Sequence, residues 1–230
     1  MKKTYDMDFV DGRCYFKDEN GRWSLVDTGY GATVSTNGDI GGFHTCIISE
    51  KELRSFNPTI MPDGNFIDGI LCPVSPIAGY NVLIGRKQVE ISQNEPFQTP
   101  AHRWFIPFTH QFLPIVECEV DGVKKKLFFD SGMRLAAIDD DKLVEGKAMQ
   151  GKQVEWIGIM EGLFDAPLYN ATFSFGNGFS WNGMFEHDYL HRYVSRFGRW
   201  GIDGFIGMEF HREFDMLIST APGRNGIYLI

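Results

Sequence analysis

Asp27-Thr28-Gly29 and Asp130-Ser131-Gly132 are the residues best placed to do chemistry: one short acidic turn, written twice, 103 positions apart. Each follows an apolar run, Trp23-Ser24-Leu25-Val26 in the first copy and Leu127-Phe128-Phe129 in the second. A buried strand would thus deliver a carboxylate straight into a tight turn. Two carboxylates about 3 Å apart cannot both ionise cheaply, so they hold one proton between them. The ionised member can take a proton from a water while the protonated member donates to a carbonyl oxygen. A single copy carries little weight, because Asp and Gly dominate turns for local reasons. The case for a pair therefore rests on whether the flanks match.

A second constellation competes. His187-Asp188-Tyr189-Leu190-His191 has the i, i+4 spacing that puts two imidazoles on one helix face. Asp stands where a metalloprotease carries Glu, and its shorter reach and the lack of a clear third ligand weigh against zinc. Surface histidines on an amphipathic helix over 186–197 are the expectation, with Tyr189, Tyr193 and Phe197 packing inward. His44, His102, His110 and His211 are isolated. Cys14, Cys46, Cys72 and Cys118 show no CxxC and no metal-like clustering, so free buried thiols are expected. Lys124-Lys125-Lys126 reads as a solvated strand edge.

The elements that would position the two aspartates repeat. Cys14-Tyr15-Phe16 and Trp23-Ser24-Leu25-Val26 flank Asn20-Gly21, a strong hairpin signal. Before the second motif, residues 115–120 alternate, turn at Asp121-Gly122 and return through 123–129. Short apolar strands resume at Ala32-Thr33-Val34-Ser35 and at Leu135-Ala136-Ala137-Ile138. Ser49 with Glu52 forms a capping-box signal for a short helix. Phe66-Ile67-Asp68-Gly69-Ile70-Leu71 then matches Gly201-Ile202-Asp203-Gly204-Phe205-Ile206-Gly207, and Asp68 and Asp203 read as turn or support residues. Each half closes with two more strands, at 80–84 and 88–91 and at 214–218 and 226–230. The second half is longer between its landmarks, with room for strands at 154–159 and 171–175. These ordered matches predict a duplicated, mainly β chain. It divides into an N-terminal lobe over 1–95, a linker over 96–102 and a C-terminal lobe over 103–230.

The bulk numbers agree. A chain of 230 residues with 43% hydrophobic content can bury a sizeable core, and 26 glycines with 20 phenylalanines favour a turn-rich β protein. The net charge of −8, without long runs, argues against nucleic acid as a partner. No stretch approaches the ~20 apolar residues that span a bilayer, and no apolar segment follows Lys2-Lys3 as in a signal peptide. A cytoplasmic location is the expectation.

With these motifs assembled, the chain resembles the retropepsin-like and pepsin-like aspartic proteases. The resemblance rests on Val26-Asp27-Thr28-Gly29, Phe129-Asp130-Ser131-Gly132, Asp68-Gly69-Ile70-Leu71 and Asp203-Gly204-Phe205-Ile206-Gly207-Met208. It implies a bilobal acid-protease-like fold of two pseudo-symmetric β lobes with few short helices. It also implies an aspartic endopeptidase that hydrolyses peptide bonds with water activated by Asp27 and Asp130. Thr28, Gly29, Ser131 and Gly132 would support that pair, the two hydroxyls bonding across the lobe interface and the glycines allowing a tight turn. The substrate would be a peptide or protein in an inter-lobe cleft of a monomer, and no cofactor or metal is implied. A flap is expected over 156–164, at Trp156, Ile157, Gly158, Ile159 and Met160, with glycine-rich 37–43 as a first-half candidate. Departures from the family pattern are Tyr30 and Met133 after the motif glycines, and Cys72 where the second half has Gly207. Bulk at Tyr30 or Met133 leaves an alternative open, a catalytically degenerate peptide-binding module on the same fold.

Overall fold

The computed structural model describes residues 1–74, 80–93, 98–109, 113–157, 162–187 and 201–230, the side chains of 155–157 and 162–164 falling outside that description. The protein is mainly β, 46% strand and 8% helix, arranged as two sheets.

The first motif ends a three-stranded meander. Strands β1 (Lys2–Val10), β2 (Arg13–Lys17) and β3 (Trp23–Val26) pair antiparallel in sequence order. Asn20-Gly21 lies in the β2–β3 turn, where the Asp18 carboxylate accepts from the Asn20 and Arg22 N–H groups. After the motif come β4 (Val34–Ser35), β5 (Cys46–Ile47) and helix α1 (Glu50–Phe56). Ser49 caps that helix, its hydroxyl accepting from Glu52 N–H at 3.2 Å. Strand β6 (Gly69–Leu71) runs parallel to β3 and antiparallel to β4, and β7 (Asn81–Ile84) and β8 (Gln88–Ser92) close the segment.

The second motif sits in the same surroundings. Strand β9 (Trp104–Pro107) precedes the hairpin of β10 (Ile115–Val120) and β11 (Val123–Phe129). Asp121 and Gly122 form its turn with φ of 50° and 81°, a two-residue link whose twist matches that of the strands. Strand β12 (Ala136–Ile138), helix α2 (Asp141–Val144), β13 (Gly151–Ile157), β14 (Gly162–Ser174) and β15 (Ser180–Glu186) follow. Strand β16 (Gly204–Ile206) is parallel to β11 and antiparallel to β12, as β6 is to β3 and β4. A 3-10 turn at Glu209–Arg212, β17 (Met216–Ser219) and β18 (Gly226–Leu229) complete the chain.

The larger sheet has eleven strands in the order β5-β4-β6-β3-β2-β1-β8-β7-β17-β18-β9, so strands from both ends of the sequence share it. The β7–β17 pairing, Met216 opposite Ile84, is the seam. The other sheet runs β10-β11-β16-β12-β15-β14-β13, and β14 also pairs with β10. That extra pairing closes six strands into a barrel and leaves β13 outside it.

Strand alternation splits the apolar residues by face. Val26, Leu71, Phe129 and Ile206 face one core that spans both sheets. Leu25, Val34 and Ile70 enter a satellite cluster with Tyr15, and Phe128, Ala137 and Phe205 enter another with Ile115. No helix among the described residues is long and apolar enough to cross a membrane.

Some expectations need correction. Glu186 ends β15 and does not begin a helix, and His187 after it is buried, so it is not a surface histidine. The rest of the expected helix, with His191, Tyr189, Tyr193 and Phe197, lies outside the described residues, as does His110. Cys14, Cys72 and Cys118 are buried free thiols, but Cys46 is exposed. Lys125 is not a solvated edge residue: its ammonium sits 2.6 Å from Asp140, with the side chain 9% exposed.

Candidate active site

Each aspartate is delivered by the end of a strand and gripped by the strand parallel to it. Asp27 N–H donates to Leu71 O at 2.9 Å, and Asp130 N–H donates to Ile206 O at 3.0 Å. The parallel strands are themselves pinned by the acids ahead of their glycines. The Asp68 carboxylate accepts from Trp23 N–H at 3.2 Å, and that of Asp203 accepts from Lys126 N–H at 2.8 Å. Trp23 and Lys126 hold the same place, four residues before the motif aspartate. Asp68 and Asp203 therefore act on strand pairing and stand apart from the acidic pair.

Between the two turns, four hydrogen bonds are exchanged. Thr28 N–H donates to Ser131 Oγ and Ser131 N–H to Thr28 Oγ1, both at 2.9 Å. The Thr28 hydroxyl then donates to Phe129 O at 2.7 Å, and the Ser131 hydroxyl to Val26 O at 2.9 Å. Both side chains are buried, so each hydroxyl satisfies a donor and an acceptor that would otherwise be stranded. The carbonyls they reach immediately precede the aspartates, which fixes each carboxyl relative to the other.

Gly29 and Gly132 owe their identity to space. Neither lies in the left-handed region, so conformational freedom in a tight turn is not the reason for them. A Cβ on Gly132 would come within 2.6 Å of Asp27 Cγ, and one on Gly29 within 2.5 Å of Asp130 Cγ. Each motif glycine clears room for the carboxyl of the opposite turn.

The two carboxyl groups hydrogen-bond one another. Each residue keeps some exposed surface while its carboxyl is sunk in protein, and burial is the main force raising both above the usual carboxylate range. Asp130 rises well above it, because the Asp27 charge adds to burial. Asp27 rises less. Burial is opposed there by the bond to Asp130 and by backbone donors, with Gly29 N–H at 2.7 Å and Tyr30 N–H at 3.1 Å from its Oδ1. Asp130 Oδ1 accepts from Gly132 N–H at 2.9 Å, while Met133 N–H goes to the Asp130 backbone carbonyl. Both carboxyls are thus raised together, Asp27 being the one with the extra backbone donor.

Tyr30 and Met133 pack outward from the turns. Tyr30 lies against the satellite cluster around Leu25, its ring edge-on to Phe56 at 5.0 Å, and Met133 lies against the cluster around Phe128. Cys72 fits beside the first turn, Sγ 3.9 Å from Thr28 O, with its thiol pushed up to about 12, mainly by burial. At Gly207, the matching place, a Cβ would meet Met133 O at 2.6 Å and Leu135 O at 2.7 Å.

Of the expected flap, Trp156 and Ile157 end β13, which pairs with β14 through Ile157 opposite Gly162, while Gly158, Ile159 and Met160 lie outside the described residues. The first-half candidate is anchored. Ile40 and Phe43 are buried, and Tyr5 donates its hydroxyl to Gly41 O at 3.1 Å.

Arg13, on β2, belongs to neither motif yet reaches the site. Its side chain is 10% exposed, and Nε donates to Gly132 O at 2.6 Å across the two halves. Its charge lowers the proton affinity of both aspartates. Its neighbours Asp11-Gly12 form a further Asx-Gly turn, between β1 and β2, which could have drawn attention to it.

No group of three or more His, Cys, Asp or Glu among the described residues is arranged to hold a metal ion. The His187 imidazole faces Asp141, with Nε2 3.4 Å from its carboxylate. The chain matches no protein-family model, and no curated protein matches it in sequence.

Proposed function

We propose that this chain is a bilobal aspartic endopeptidase, with the residues up to about 95 and those from about 103 onward forming two related lobes of an acid-protease-like fold. The observation that carries the reading is the hydrogen-bonded Asp27–Asp130 pair, held by a reciprocal exchange through Thr28 and Ser131. Asp27, with two backbone N–H groups on one oxygen, is the ionised member and takes the proton of the attacking water. Asp130 carries the shared proton and gives it to the carbonyl oxygen of the scissile peptide, so the tetrahedral intermediate forms without free charge on that oxygen. The proton taken by Asp27 then passes to the amine nitrogen as the C–N bond breaks, and a hydroxyl of the intermediate returns its proton to Asp130, restoring the pair. Both apparent ionisations belong to the pair. The substrate is an extended peptide bound by strand-like pairing between the lobes, and the Gly151–Ile157 and Gly162–Ser174 hairpin is the natural cover. One chain supplies both acids, so a monomer suffices.

The test is cleavage of a peptide library between about pH 3 and 8 by the wild type, Asp27→Asn and Asp130→Asn. Each Asn variant should lose activity by about 10²–10⁴-fold or more while its circular dichroism is unchanged. A folded wild type that cuts nothing over this range, or Asn variants that cut equally well, would sink the reading. Retained peptide binding without cleavage would move the chain to the degenerate, binding-only alternative.

A further inference from the structure

The surroundings of the two turns differ in a largely buried charged group. Register places Tyr15 opposite Leu25 and Ile115 opposite Phe128, so Arg13 and Leu113 occupy corresponding positions two residues earlier. Leu113 packs against the apolar cluster beneath the second turn. Arg13 instead crosses to that second turn, donating Nε to the Gly132 carbonyl at 2.6 Å and NH1 to Asp11 at 3.0 Å. Asp11 also accepts from Arg134 NH1 at 2.5 Å, so one carboxylate is shared by two guanidinium groups. The stem of Arg134 lies over the turn itself, since a Cβ on Gly12 would meet its Cγ at 2.7 Å. A mostly buried guanidinium is costly unless it is paired and hydrogen-bonded. A neutral residue could fill the place at lower desolvation cost, as Leu113 does in the other half.

We propose that Arg13 is a positioning residue for the acidic pair, fixing the second turn through the Gly132 carbonyl and supplying the positive charge against which one ionised aspartate is held. The idea rests on the endopeptidase reading and adds what sets its working pH. The charged or titratable groups near the pair are Arg13 on β2, Cys72 after β6 and the Tyr30 phenol, while Asp11 and Arg134 act on it only through Arg13 and their shared carboxylate. Tyr30 and Cys72 both titrate at about 12, raised chiefly by burial, so they are neutral at the pH where the pair works. Arg13 therefore lowers the pH at which the pair loses its first proton, and Asp11 moderates that effect.

The experiment is a titration of the aspartate carboxyl carbons by NMR, with the pair identified by the signals lost in Asp27→Asn and Asp130→Asn. Arg13→Met should raise the first ionisation of the pair by about one pH unit, a tenfold change in proton affinity. Asp11→Asn, at a half-exposed surface position, should move it the other way by a smaller amount. Loosened packing alone cannot produce shifts of opposite sign. An ionisation that stays put in folded Arg13→Met overturns the role of Arg13 and leaves the endopeptidase reading intact. If Arg13→Met does not fold, an unmoved or upward shift in Asp11→Asn overturns it equally. A wild type whose two aspartates titrate separately near pH ~4 overturns the pair, and Arg13's part with it.

Discussion

The two aspartate turns share nearly every backbone contact and differ in what stands around them. Both are fed by the inner strand of a hairpin, gripped by a parallel strand and pinned by an acid four residues upstream in register. Around the first stand Cys72 and two backbone donors to one carboxylate oxygen, while Arg13 of the same half reaches across to the second turn. Around the second stand Leu113, Gly207 and one such donor. Backbone geometry brings the carboxyls together, and the unequal number of backbone donors makes their surroundings differ. Sharing one proton is what leaves a pair of acids with one member to give and one to take.

The sharpest way to break the equivalence is to fill the glycines. Gly29→Ala and Gly132→Ala each drive a methyl group into the opposite carboxyl, with a stability cost of about 1–3 kcal/mol. Both should abolish measurable cleavage, and equal losses in thermal unfolding would show that the turns are structurally interchangeable. Next come the hydroxyls. Thr28→Val and Ser131→Ala each strand a buried N–H and a buried carbonyl, for about 1–3 kcal/mol apiece. Because they share one network, the double variant should cost less than the sum in denaturant melts.

A third test uses a difference further from the pair. Two residues beyond Gly207 stands Glu209, where the first half has Val74 two residues beyond Cys72. Burial raises Glu209 to about 7, above its ordinary 4.5. The stability it contributes is present below about pH 4.5 and is lost as pH rises through about 7. Glu209→Gln should match the wild type near pH 4.5 and be more stable near pH 8 by on the order of 1–3 kcal/mol, read from unfolding at the two pH values. The smallest effect is expected at Tyr30. Its ring packs on Phe56, so Tyr30→Phe should change cleavage by less than about threefold and leave the pair's titration alone.

Much of this was legible in the sequence because its signals are local. The Asn20-Gly21 and Asp121-Gly122 turns, the apolar runs beside them and the Ser49 cap each specify a few neighbouring residues, and strands and helix lie where they point. The seam between β7 and β17 joins residues more than a hundred positions apart, and no local pattern announces such a pairing. Strand β14 was foreseen only in part, over 171–175. Its first half carries Pro167, which lacks an N–H to donate yet sits in register with Lys152 of the outlying β13. Asp27 and Asp130 were visible through their motif. Arg13 was not, since a lone arginine at a strand start is unremarkable until its partner carbonyl, Gly132, is known.

The Thr28–Ser131 exchange has a consequence for how such a chain could be assembled. Each partner offers an N–H and a hydroxyl and needs the same in return, so the pattern is its own complement. A turn of this kind would be satisfied equally well by a twin of itself. Nothing in those four bonds requires two different halves. What distinguishes the halves is the Arg13 guanidinium in one and the Leu113 side chain in the other, a difference that a single chain can hold and a pair of identical chains could not.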